Sequence, residues 1–464
     1  MRYLPPAHYS IAVTSGILVS FAPSLLPRPP IMQGVVTGLL AALAFAMAAL
    51  VRRVVELVRD DTRGPGRDSV RVLSLLFAAI AVSWAVVYAD HWQDGLRRAM
   101  GMASVGPTHW AAVLASAILT FLLLVGAGAG LGHLARRVGR LGTVTAALIA
   151  VIGVQVVIGP AAWNALTQSY SEANATMDVS VHRPVGGALA GSPASTVDWE
   201  SLGREGRRFV AGGENDAGIR TYVGLDSAAD TNTRAALAVA ELDRAGGFDR
   251  STVVVAVPTG SGWIDAHAAD GIEERFDGDV AIVGLQYSFA PSWVTFLFGR
   301  DAANDSAVAL LSAVERHVAG MPTDRRPNIY VYGQSLGSVG GSAALRDPGT
   351  RSQVCGVLWA GPPAGSVDTG GATVLANTSD PVVWWSPKLI TSRPDLTLAE
   401  RDAPMPTWLP GISFVQTSVD LLAALSVPPG HGHRYGTEQG TALPDCQAGA
   451  PIEPRAASYA APTR

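Results

Sequence analysis

Charged side chains are scarce in this chain, and lysine is nearly absent. Asp, Glu, Lys and Arg make up 16 % of the 464 residues, where an ordinary soluble domain carries about 25 %. Lys388 is the only lysine, so almost all positive charge is arginine. No basic stripe runs through the C-terminal half, which argues against a nucleic-acid partner. Cysteine is limited to Cys355 and Cys446; one disulfide or two partly buried thiols both fit that even count. A His-x-His pair stands at His431 and His433, but no matching His/Asp cluster lies nearby, so neither a metal nor another cofactor is expected. The N-terminus has one early Arg2, a proline-rich start and no small-residue cleavage pattern. It reads as a retained anchor rather than a cleaved signal peptide.

What the chain has in excess is apolar surface, concentrated in residues 1–163. Candidate membrane spans are 11–27, 31–51, 70–89, 110–134 and 141–163. A spanning helix needs about 20 mostly apolar residues; four of the five meet that. The first is shorter and holds Pro23 and Pro27, so it reads as a full, broken or re-entrant span. Arginine placement sets the orientation. Arg52, Arg53, Arg59, Arg63, Arg67 and Arg71 follow the second span, and Arg136, Arg137 and Arg140 follow the fourth. Both loops are therefore cytoplasmic by the positive-inside rule, and everything after Trp163 faces the extracytoplasmic side. The expected organisation is a membrane bundle of four to five helices (1–163), a juxtamembrane linker rich in Ser, Ala and Pro (164–201), a second domain (202–450) and a loose Ala/Pro-rich tail (451–464).

The second domain alternates strand and helix patterns. Strands are expected at 219–225, Thr252–Val257, 279–287, 328–332, 354–360, 373–376 and 412–416, with helices at 233–245 and 301–319. Apolar runs separated by helical stretches imply a mostly parallel sheet with crossover helices. Gly333-Gln334-Ser335-Leu336-Gly337 follows the strand at 328–332 and precedes a run of small residues. Strand, sharp turn and helix around G-x-S-x-G is the nucleophile elbow of the α/β-hydrolases. Such an enzyme needs an acid and then a base later in the chain. Only His431 and His433 follow the elbow, in a glycine-flanked loop. Asp380, in Ser379-Asp380-Pro381, lies just past the strand at 373–376, where a carboxylate can orient the histidine; Asp368, Asp395, Asp402 and Asp420 are weaker rivals. The oxyanion donors are expected to be the Leu336 amide and an amide from Gly260, Ser261 or Gly262, in the glycine-rich loop after Thr252–Val257. The Trp- and Pro-rich stretch 382–410 reads either as a lid over the site or as irregular core. Arg204, Arg207 and Arg208 read either as a lipid head-group site or as ordinary ion pairs.

The combined set of motifs resembles a known family. Pro23-Ser24-Leu25-Leu26-Pro27-Arg28, Gly203-Arg204-Glu205-Gly206-Arg207, Thr259-Gly260-Ser261-Gly262-Trp263, Gln286-Tyr287-Ser288, the elbow through Ser338, Ser379-Asp380-Pro381 and Gly432-His433-Arg434-Tyr435 carry the likeness over nearly the whole chain. It is similar to the bacterial, mainly actinobacterial, membrane-anchored α/β-hydrolases with an N-terminal transmembrane domain. The resemblance implies hydrolase chemistry, favours His433 over His431 and names no substrate. Members often carry Glu before the serine, where this chain has Gln334. The expectation is a membrane-anchored serine esterase or lipase, with Ser335, His433 and Asp380 as triad and an acyl ester or lipid as substrate. The alternatives are an acyltransferase of cell-envelope lipid metabolism and a non-catalytic membrane lipid transport or assembly protein.

Overall fold

Long runs of leucine, alanine and valine in the first third become long helices whose apolar side chains stay exposed. The structure, a computed structural model, describes residues 4–58, 68–187, 189–213, 218–446 and 455–456. Arg59, Arg63, Arg67 and most of the tail 451–464 lie outside the described residues. The chain divides into two units. The first holds Met1–Ile158, Pro387–Arg393 and Ala403–Pro428; the second holds Gly159–Ser386, Pro394–Asp402 and Pro429–Arg464.

In the first unit, α1 (Ala7–Ser20) precedes α2 (Pro30–Val58), α3 (Asp68–Ala99) and α4 (Pro107–Gly153). Gly139, at φ 79°, breaks α4, so a separate apolar run starts at Leu141 and continues to Ala175. Among the described residues, four helical runs are therefore long and apolar enough to cross a membrane. With 14 residues, α1 rises only about 21 Å, short of a hydrocarbon thickness of about 30 Å. Outward-facing Phe77, Ile80 and Leu122 are at least 60 % exposed, which suits lipid and not water. Small residues let the helices approach closely: a side chain at Gly34 or Gly38 of α2 would strike the Val113 or Ala117 carbonyl of α4.

The stretch expected as a strand at 412–416 is instead the helix Ile412–Asp420, within the first unit. Its Ile-Ser-Phe-Val-Gln run mimics strand alternation. The four-residue spacing of Gln416 and Asp420 decides the outcome, because it puts both polar groups on one helix face. There Gln416 donates to the Val19 carbonyl and Asp420 accepts from Arg28.

The second unit is built on runs of β-branched residues. Its strands are β1 (Ile219–Val223), β2 (Thr252–Val257), β3 (Val280–Leu285), β4 (Asn328–Gln334), β5 (Val354–Ala360), β6 (Thr373–Leu375) and the two-residue β7 (Arg455–Ala456). They pair in the order β1-β3-β2-β4-β5-β6-β7, every pair parallel. Every residue of β2 and β3 is buried, as a parallel sheet covered by helices on both faces requires. The segment read as a linker starts as the helix Gly159–Ala175, and its later Leu189, Ala190, Val197 and Trp199 join the core. Arg207, buried at 3 % exposure, donates to the carbonyls of Asn174, Ala175 and Thr176 and so caps that helix. Arg204 pairs with Glu205 and Arg208 with Asp178, so all three arginines serve the fold.

Cys355 of β5 and Cys446 form a disulfide across 91 residues of chain. Closing so long a loop constrains the unfolded state. Cys355→Ser or Cys446→Ser should therefore cost about 2–4 kcal/mol, read as a lower unfolding temperature of the second unit. Wild-type protein in reductant should match the variants; an unchanged transition in both would show the bond to be idle.

Candidate active site

The carboxyl ends of β4, β5 and β6 lie side by side, and each supplies one part of the site. At the end of β4, Ser335 has φ 52° and ψ −122°, a backbone conformation that strains any residue with a Cβ. The helix Leu336–Ala344 starts at the next residue. The two glycines that bracket Ser335 are there for space. A Cβ at Gly333 would stand 2.6 Å from the Gly337 carbonyl, and one at Gly337 would collide with the Val257 carbonyl oxygen. Strand, strained serine and tightly packed helix thus occur as the motif requires.

Strand β5 carries the serine's backbone and meets the other two residues. The Ser335 amide donates to the Ala360 carbonyl at 2.9 Å, and the Gly361 amide donates to Leu375 of β6 at 2.8 Å. Gly361, at φ 53°, lies close against the Asp380–His433 pair. A Cβ on it would be 2.7 Å from His433 Cε1 and 2.9 Å from Asp380 Oδ2, so only glycine fits.

Asp380 follows β6 and is fully buried. Its Oδ2 meets His433 Nδ1 at 2.7 Å and accepts from the Tyr435 hydroxyl at 2.7 Å, while Oδ1 accepts from the Val382 amide at 2.8 Å. That last bond caps the short helix Pro381–Trp384. An ionised carboxylate only accepts, so the His433 Nδ1 carries hydrogen and Nε2 is left as the basic nitrogen. Ser335 keeps 9 % exposure and His433 7 %. Ser335 Oγ makes no hydrogen bond among the described residues; the base–nucleophile bond of such sites commonly tightens only around substrate.

The glycine-rich loop after β2 packs against the elbow. Its Pro258 carbonyl accepts from the buried Tyr287 hydroxyl at 3.0 Å, and burial pushes that phenol up, keeping it a neutral donor. Of the three amides expected to offer a second oxyanion donor, Gly260 donates to Ser292 Oγ and Gly262 to the Thr259 carbonyl. The Ser261 amide carries no such bond among the described residues. Leu336 contributes the first amide of its helix, which has no partner within the helix.

A second histidine–aspartate pair, which the sequence did not reveal, braces the first. His431 Nδ1 meets Asp402 Oδ2 at 3.0 Å. Asp402 also accepts from the Ser379 amide at 2.9 Å and from the Ser379 hydroxyl, and that hydroxyl accepts from the Gly432 amide at 2.8 Å. One carboxylate therefore ties the residue before Asp380 to the loop that bears His433. Tyr435 was visible only as the last residue of a motif; its bond to Asp380 needs the fold. Gln334 is 98 % buried, with neither amide atom partnered among the described residues. A neutral amide there costs less than the buried unpaired charge of a glutamate would.

Two family models match the chain: one described as "alpha/beta-hydrolase family" over residues 219–373 and 368–448, and one described as "alpha/beta-hydrolase family N-terminus" over residues 21–213. No curated protein and no solved structure matches. The all-parallel order β1-β3-β2-β4-β5-β6 with its elbow after β4, and matches to both halves, lead to one assignment: the chain belongs to the α/β-hydrolase family.

Proposed function

We propose that this protein is a membrane-anchored serine hydrolase that cleaves carboxylic esters through an acyl-enzyme. The observation that carries the reading is the strained Ser335 at the end of β4, two strands from an Asp380–His433 pair bonded at 2.7 Å. Ser335 Oγ attacks the ester carbonyl, and His433 Nε2 takes its proton. The Leu336 amide and the amide of Ser261 stabilise the tetrahedral oxyanion. Collapse of the intermediate expels the alcohol, protonated by His433. Water, activated by the same nitrogen, then releases the acid and restores the serine. Asp380 holds the imidazole in the tautomer that this cycle needs.

The membrane part of the reading rests on the four long apolar helical runs. Arg52 and Arg53 close α2 at one end of the bundle, while Arg28, Gln93 and the start of α4 gather at the other. The positive-inside rule assigns the first end to the cytoplasm; three more spans follow α2, so the chain after the last of them emerges on the outer side. An enzyme held there meets lipid-like esters at high local concentration.

A fluorophosphonate probe on membranes tests the reading. Wild-type protein should be labelled and Ser335→Ala should not; an unlabelled wild type, or equal labelling of the variant, removes the nucleophile assignment. Release of free acid from a labelled ester, rather than its transfer to an added alcohol, identifies water as acceptor.

A further inference from the structure

The chain between Asp380 and His433 twice leaves the catalytic unit for the helical one, as Pro387–Arg393 and Ala403–Pro428. These two segments fold on each other. Trp408 Nε1 donates to the Leu389 carbonyl at 3.0 Å, and the Gly411 amide donates to Ile390 at 2.9 Å. They are bonded to the bundle through Asp420, which accepts from Arg28 and from the Leu25 amide, and through Gln416, which donates to the Val19 carbonyl.

Their composition is unusual for surface chain. Across Ala403–Pro428 the only charged residue is Asp420, and it is fully buried. The surface it leaves to solvent is apolar: Leu422 is 81 % exposed, Leu425 56 % and Leu409 42 %. Pro387–Arg393 adds two exposed cations and no acid. Lys388 and Arg393 make no ion pair among the described residues. Exposed leucines, a tryptophan and unpaired basic groups on one short element form the pattern of chain that lies in a membrane interface.

We infer that Pro387–Arg393 and Ala403–Pro428 together form an interfacial membrane-binding element. It seats Leu409, Leu422 and Leu425 among lipid acyl chains, and Lys388 and Arg393 against anionic head groups. The occupant is a bilayer, because the element belongs to the helical unit, is bonded to Val19 of α1 and to Arg28, and shares with those helices a surface of exposed apolar side chains. The inference rests on the membrane reading of those helices but not on turnover. Its consequence for the enzyme is positional: the element joins the catalytic chain at Asp402 and Pro429, and the Asp402–His431 bond pins those two ends together.

The full chain in nanodiscs of phosphatidylcholine with phosphatidylglycerol provides the test. Both native cysteines are disulfide-bonded, so a nitroxide attaches only at an introduced thiol: Leu422→Cys, Leu425→Cys, Phe77→Cys on α3 as the lipid reference, or the exposed Asp324→Cys as the aqueous one. Labels at 422 and 425 should behave like the one at 77, open to oxygen and closed to a water-soluble nickel chelate. Nickel access equal to that at 324 would overturn the inference, and so would shielding from both reagents, which means a protein partner or a second copy covers the face. Nickel access at position 77 would instead remove the membrane reading and this inference with it. In discs without phosphatidylglycerol, nickel access at 422 should rise by up to about fivefold for each cation lost from head-group contact. Lys388→Gln with Arg393→Gln should abolish that lipid dependence. A lipid-independent wild type would refute the role of the two cations.

Discussion

Replacing Asp380 by Asn lowers turnover of a soluble ester about 10⁴-fold, with little change in KM. The side chain keeps its size and stays among the same neighbours, so the loss is chemical. Asp380 accepts from three donors: His433 Nδ1, the Tyr435 hydroxyl and the Val382 amide. Asparagine has one accepting oxygen. If that oxygen keeps the Val382 amide, its NH₂ group faces His433 Nδ1 and can bond it only when Nδ1 gives up its hydrogen. The hydrogen then sits on Nε2, which can no longer take the serine's proton. Binding of the ground-state ester does not use this tautomer, so KM is spared. The measurement is kcat and KM on a short-chain ester, with the rate of fluorophosphonate labelling as a second reading of Ser335 reactivity. A variant that keeps a tenth of wild-type kcat would mean that Asp380 does not orient the base.

The parts of this site that the sequence exposes are those fixed by local chain. The β-branched run Thr252–Val257 is a strand because nothing else buries five valine- or alanine-type neighbours on both faces. The elbow is legible because two glycines at fixed spacing answer a steric demand made within a few residues, as the closeness of Gly333 to Gly337 shows. Chain order after that elbow leaves His431 and His433 both open as the base and Asp380 as the favoured acid; only the family resemblance favours His433. Where a residue's role depends on distant chain, the pattern goes silent. Asp402 ends no core strand and reads as a weak rival for the acid; it binds Ser379 and His431, one residue before Asp380 and two before His433. The helix Ile412–Asp420 reads as a strand because its fate is set by Arg28, 392 positions away along the chain. The three candidate amides after β2 are equivalent in sequence; in the fold Gly260 and Gly262 donate elsewhere, while the Ser261 amide has no such bond among the described residues.

That same Arg28 gives the second large expected effect, on stability rather than on rate. Asp420→Ala destabilises the helical unit by about 3–5 kcal/mol. Arg28 is 1 % exposed and Asp420 fully buried. The guanidinium donates to Asp420 Oδ1 at 2.9 Å, to the Gln416 carbonyl at 3.1 Å and to Gln33 Oε1 at 3.3 Å. The second carboxylate oxygen accepts from the Leu25 amide at 2.7 Å. With the carboxylate gone, the neutral partners remain but the positive charge is uncompensated, and the Leu25 amide loses its acceptor. Both penalties fall on the irregular stretch between α1 and α2, where no helix satisfies the backbone. Asp420→Asn keeps an acceptor for Leu25 and should fall between wild type and Asp420→Ala. The double change Arg28→Met with Asp420→Leu removes the charge together with its partner, and most of the lost stability should return, because the cost lies in the orphaned ion and not in the missing bond. The check is the thermal transition of the detergent-purified chain across the four proteins. If the double variant is as unstable as Asp420→Ala, the pair holds the element to the bundle by shape rather than by charge. If Asp420→Ala unfolds with wild type, the pair contributes nothing to that attachment.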